Sequence, residues 1–225
     1  MSTEPTHEEI LKQLTADVQL LKAAAKVLVA GNPCSRDDEV RKILGRTAEL
    51  VRGVTALGRE RNVATLTIVV RTILENLIVL LWALVSEENA EQQSMAGLAE
   101  MRRITRINLE KGNMKIRSRE TGADETAEFL ASGSLKSSPS KNLDQCAREA
   151  GVSSLYDAFY RPLSMAVHAH GFDADEASEE PEVVAELHAA GAFARAIGHV
   201  GMRWFVHRQR TDNESLREVL GMNRR

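Results

Sequence analysis

Residues 63–85 read VATLTIVVRTILENLIVLLWALV, apolar on almost every face of a helix yet carrying Arg71, Glu75 and Asn76 at the midpoint. A helix that is hydrophobic all round is buried in a bundle or spans a membrane. The midpoint charges separate the two. At the centre of a bilayer an Arg and a Glu are each costly, whereas in a bundle Arg71 and Glu75, one turn apart, neutralise and hydrogen-bond each other. The stretch therefore predicts a buried central helix, about residues 59–86, with a polar seam and no membrane association. The fold class is all-α, a bundle of about six to eight helices.

Upstream, Thr6 and Glu9 form a capping box, and Leu11, Leu14, Val18, Leu21, Ala25 and Leu28 recur at steps of three and four. That stripe predicts a first helix to about Gly31, packed inside the bundle or against a second copy. Gly31, Asn32 and Pro33 end it. Ser35, with Asp37 and Asp38 behind it, marks the next N-terminus, and Val40, Ile43, Leu44, Leu50, Val54 and Leu57 give the amphipathic face of a helix over about 36–57. Gly58 is the expected break.

Downstream, SEENAEQQ reads as a polar connection, after which Met95, Leu98, Met101, Ile104, Ile107 and Leu109 restore a helical period. Arg102, Arg103 and Arg106 lie on that helix and Lys111, Lys115, Arg117 and Arg119 follow it. This is the most basic stretch of the chain, a solvated face or a phosphate-contacting RNA surface, without aromatic residues for base stacking. Residues 118–141, rich in Ser, Gly, Thr and charge, predict a mobile excursion with at most a short helical turn near Phe129 and Leu130. A short helix to Ala150 follows, closed by Gly151. In SLYDAFYRPLSMAVHAHGF, Pro162 cannot sit in a helix interior, so a new helix begins with it in the first turn. The acidic DADEASEEPE precedes a long helix over about 179–209, and residues 211–225 read as a short terminal helix or tail. Residues 1–210 are expected to form one domain.

A net charge of −3 over 225 residues excludes a globally electrostatic nucleic-acid binder, so any RNA contact must be local. Cys34 and Cys146, the only two cysteines, stand in no metal-ligand spacing and suit a reducing compartment. The start MSTEPTHEEI does not read as a secretory signal, so a cytoplasmic location is expected.

Arg161 and His168 carry the strongest chemistry. Seven residues apart, they fall on one face of a helix with Ser164 between them. An imidazole can take a proton from a ribose hydroxyl, and a guanidinium can stabilise the charge of a phosphoryl transition state, so this pair suffices for metal-free RNA cleavage. The segment YRPLSMAVH resembles the Arg–His motif of HEPN domains (higher eukaryotes and prokaryotes nucleotide-binding). With RTILE on the central helix it is also similar to a group of uncharacterised bacterial all-α domains. The HEPN resemblance implies a metal-independent ribonuclease or RNA-binding effector of a toxin or antiphage system. Such proteins need no cofactor and are commonly homodimers with both motifs at the interface, and an antitoxin or defence partner is implied. On that basis His168 would be the general base, Arg161 would stabilise the phosphorane, Ser164 and Tyr160 would position the substrate, and Arg71 with Glu75 would support them.

Other chemistries have less support. His168, His170, Asp173 and Asp175 could hold a metal, but the E-x-x-H spacing of helical metal sites is missing. Ser164 with His168 lacks a nucleophile elbow, and no phosphate-binding glycine loop is present. The non-catalytic alternative is a helical interaction module in which Arg71, Glu75, Ser164 and His168 form a buried polar network that fixes helix register.

Overall fold

A computed structural model describes residues 5–29, 32–135, 141–168 and 180–219, with the backbone alone at 168 and 210–219. The described residues are helical apart from turns and one isolated antiparallel bridge, Arg117 to Asp124. In chain order the helices are α1 (His7–Ala25), α2 (Ser35–Arg59), α3 (Val63–Val85), α4 (Glu87–Glu110), α5 (Thr126–Ala131), α6 (Leu143–Glu149), α7 (Ser153–Leu155), α8 (Arg161–His168) and α9 (Glu180–Val219). A single π turn, Tyr156–Tyr160, joins α7 to α8. By internal contacts the chain divides into two compact units, Met1–Ala90 with Leu143–Arg225, and Glu91–Asn142.

In the first unit α1, α2, α3 and α9 form the bundle. Gly58 of α2 meets Leu187 of α9, Leu44 meets Gly201, and Asp37 pairs with Arg208, so α2 and α9 are antiparallel. The Asp17–Arg195 pair and the approach of Leu21 to Gly198 set α1 parallel to α9. Thr67 of α3 bonds Glu186 and Arg61 pairs with Glu180, so α3 is parallel to α9 as well. Two successive bundle helices pointing the same way need a long crossover, and everything from α4 to α8 lies on that connection.

The central helix, Val63–Val85, falls within the expected 59–86, with Arg59 left in α2. Leu66, Val70, Ile73, Leu74, Ile78 and Leu80 are fully buried. By length and composition α3 could cross a membrane, but its apolar face is instead the middle of the bundle core. Its polar seam splits in two. Asn76 is buried and donates to Thr47 Oγ1 of α2 at 3.3 Å, while Arg71 and Glu75 turn to the side covered by the π turn and α8.

Several boundaries differ from the sequence expectation for local reasons. The break after α2 falls at Arg61, whose φ of 56° is left-handed, and not at Gly58. Gly58 stays helical because it is a contact point: a Cβ there would stand 2.8 Å from Leu187 Cδ2. SEENAEQQ is the first turns of α4, since Ser86 Oγ accepts the Asn89 N–H and Glu87 and Glu88 suit the helix N-terminus. Ser35 is inside α2; Cys34 is the cap position, with Asp37 accepting its N–H at 3.2 Å. α9 continues through Gln209 to Val219, so the expected separate terminal helix over 211–225 is, as far as Val219, an extension of α9.

In the second unit the expected short turn at Phe129 and Leu130 is α5. The chain before it is tied down. Thr126 Oγ1 accepts the Ile116 N–H at 3.0 Å, and Asp124 pairs with Lys115 at 3.3 Å. Hydrogen bonds from Thr126, then the Lys115 ammonium, hold the Asp124 carboxyl down at about 2. Part of the excursion expected over 118–141, residues 136–140, lies outside the described residues.

Candidate functional site

Pro162 determines the local geometry of the site. It has no N–H to give, and its ring would collide with the carbonyl one turn back in a regular α-helix. The chain widens into the π turn instead, with Arg161 N–H bonding Tyr156 C=O five residues earlier, and α8 starts with Pro162 as its second residue. The widened turn stacks Tyr156 on Tyr160, ring centroids 5.0 Å apart and planes 22° from parallel.

A guanidinium lies over each ring. Arg71 Cζ, from α3, lies 5.6 Å from the Tyr160 ring centre, and Arg161 Cζ lies 5.3 Å from that of Tyr156. Glu75 Oε1 accepts from Tyr160 Oη at 2.9 Å and from Arg71 Nε at 3.2 Å. Burial pushes the Tyr160 phenol up, reinforced by its hydrogen bond to Glu75 and that carboxylate's charge. The seam runs from α3 through the two rings to the start of α8.

The outer end is open. Arg161 Nε pairs with Asp157 at 2.8 Å, both side chains 60% exposed. An exposed pair of that kind contributes little, so the guanidinium can exchange Asp157 for a ligand oxyanion at small cost.

The structure thus joins four of the expected site residues: Arg71, Glu75, Tyr160 and, through Tyr156, Arg161. Ser164 is half-buried on α8, one turn after Tyr160. His168 ends α8, but its side chain lies outside the described residues, as do His170, Asp173 and Asp175. Arg161 leans back over Tyr156, towards the N-terminal side of its own Cα, while His168 is about 10 Å of helical rise the other way. Within one chain, in this rotamer, the guanidinium therefore moves away from the His168 end of the helix. In the other unit, Arg103 forms a two-point pair with Glu100 at 2.6 and 2.7 Å, Arg106 stands 3.8 Å from Glu110, and Arg102 is half-buried beside them on α4. Two of those three arginines already have carboxylate partners.

Tyr156 and Asp157 were not among the expected site residues. Their signals were present as a Tyr–Tyr and an Asp–Arg pair each four apart in YDAFYR, but the π turn that aligns them is a response to Pro162.

The fold and site define an all-α bundle protein with a half-buried tyrosine pair, edged by an exposed arginine, at a π turn. Residues 40–180 match the family of unknown function DUF5677, and the chain belongs to that family. The match runs from within α2 to the first residue of α9 and so contains the whole site. No curated protein and no solved structure matches the chain.

Proposed function

We propose that the chain is a HEPN-like, RNA-directed effector: a cytoplasmic, metal-independent endoribonuclease of a bacterial toxin or antiphage system. The observation that carries this reading is the Arg161 guanidinium, exposed above the Tyr156 ring and paired among the described residues with a surface carboxylate. An exposed guanidinium seated on a half-buried tyrosine pair suits single-stranded RNA, whose phosphates seek guanidinium groups. His168 serves as general base at the other end of α8. Because Arg161 leans away from it, the pair that acts on one phosphate combines Arg161 of one copy with His168 of a second, which makes the working form a homodimer. Arg102, Arg103 and Arg106 are a further RNA contact, and an antitoxin or defence protein would restrain the activity.

The test is binding of a fluorescent single-stranded oligoribonucleotide across a salt series. Arg161→Ala should weaken binding and flatten the salt dependence by about one phosphate contact. His168→Ala should leave binding intact and abolish cleavage. Binding unchanged in Arg161→Ala contradicts the proposal.

The second reading, a non-catalytic interaction module, is favoured by the Arg71–Glu75–Tyr160 network, which ties the π turn to α3 and would set helix register with no substrate involved. Under that reading His168→Ala lowers stability, by ~1–3 kcal/mol if it strands a buried partner, and no RNA-dependent property changes.

A further inference from the structure

Away from this site, α1 and α9 run side by side and leave a groove of about 400 Å³ between them. Its walls are apolar: Leu20 and Leu21 from α1, Val27 just beyond its end, and Ala194, Gly198 and Met202 from α9. Small residues account for its depth, since at Gly198 and Ala194 the α9 side chains that would fill it are missing or reduced to a methyl. Leu20 is 66% exposed and Met202 41% exposed along the rim. Exposed apolar side chains around a concave apolar surface are the usual composition of a binding site.

An ion pair stands at one end and an imidazole part-way along. Asp17 and Arg195 are paired at 2.9 Å, and His199 lies one turn further along α9. Asp17 is 2% exposed, and each of its oxygens already accepts a bond, one from Arg195 and one from Gln13. Arg195 is 49% exposed. The buried carboxylate fixes the guanidinium, and the cation is what the groove presents at its mouth. From Asp17 to the end of α1 at Ala25, and from Ala194 to Met202 on α9, the walls extend by about 12 Å of helical rise.

A cation closing one end of an apolar trough of that length is complementary to an anionic amphiphile. We propose that the α1–α9 groove binds a free medium-chain fatty carboxylate, its head on the outward N–H groups of Arg195 and its tail along Leu20, Leu21, Val27 and Met202. His199 lies beside the tail one turn along from the head, and the Asp17–Gln13 contact keeps the guanidinium's carboxylate partner in place. This site shares no residue with the tyrosine–arginine stack, so either proposal can fail alone.

The experiment is a calorimetric titration of the full chain with decanoate below its micellar concentration. Decyltrimethylammonium, with the same tail and the opposite head, and anionic phospholipid vesicles are titrated in parallel. Saturable one-to-one binding of decanoate is expected, with decyltrimethylammonium at least tenfold weaker. Arg195→Lys should retain decanoate binding and Arg195→Gln should lose at least tenfold. Because Arg195→Gln strands Asp17, a second variant, Ala23→Trp, fills the groove from an exposed position and should abolish binding while leaving thermal unfolding unchanged. Four results would overturn the proposal: no saturable decanoate binding, binding that survives Ala23→Trp, capture of vesicles without capture of free decanoate, or a dimer in solution that buries α1 and α9.

Discussion

Asp37 shows how a single residue can both cap its own helix, α2, and tie it to α9. It is fully buried, yet accepts hydrogen bonds from Trp204 Nε1 at 2.8 Å, from Arg208 at 3.2 Å and from the Cys34 backbone at 3.2 Å. Burial alone would raise its carboxyl; the bonds from Arg208, Trp204 and Cys34 outweigh it and leave the group below the ordinary aspartate range. A carboxyl lowered in the folded state adds stability that is complete above the unfolded value and disappears as pH falls through the folded one. Asp37→Ala should therefore cost ~3 kcal/mol at neutral pH, and its stability should fall less steeply in acid than that of the wild type, as chemical denaturation at stepped pH would show. Tyr160 works in the opposite direction. Its phenol is raised, so its contribution is complete below the ordinary tyrosine range and is lost as pH rises through the folded value. Tyr160→Phe should cost ~1 kcal/mol, since Glu75 is only partly buried, and should remove that alkaline loss; unfolding followed across alkaline pH would reveal it.

At the scale of elements, α3 was legible because its composition admits few partners. Twenty-three residues with almost no polar face can only be central, and the midpoint charges gave both the bundle and the seam. Gly58 was misleading because the same residue that ends helices also lets helices touch, and only the facing Leu187 decides between them. The polar start of α4 was hidden because Glu, Gln and Asn are acceptable in a helix once Ser86 caps it. In the site, Arg71 with Glu75 was readable from spacing, but the Tyr160 bond to Glu75 spans 85 residues and has no signal in the local sequence. The π turn follows from Pro162, and this can be tested. Pro162→Ala restores the missing N–H and removes the ring clash, so the turn should relax towards regular α-helix and the rings of Tyr156 and Tyr160 should separate. Loss of the ring-to-ring nuclear Overhauser contacts is the expected result; an unchanged stack would mean that packing against α3, and not the proline, sets the turn.

Across the whole molecule, two parallel helices joined in sequence force a long crossover, and the site sits on that connection where it returns to α3. The bundle supplies a rigid wall through Arg71 and Glu75, while the crossover supplies the half-buried Tyr156 and the exposed Asp157 and Arg161. Function drawn from the crossover can be altered with little effect on the core: Arg161→Ala should leave thermal unfolding within about 0.5 kcal/mol of wild type, as for surface positions in general. Incubation with total RNA in EDTA, wild type beside Arg161→Ala, is the most direct test of the account. It predicts cleavage by the wild type without metal and none by an equally stable Arg161→Ala. An inert wild type, or cleavage that survives the substitution, would contradict it.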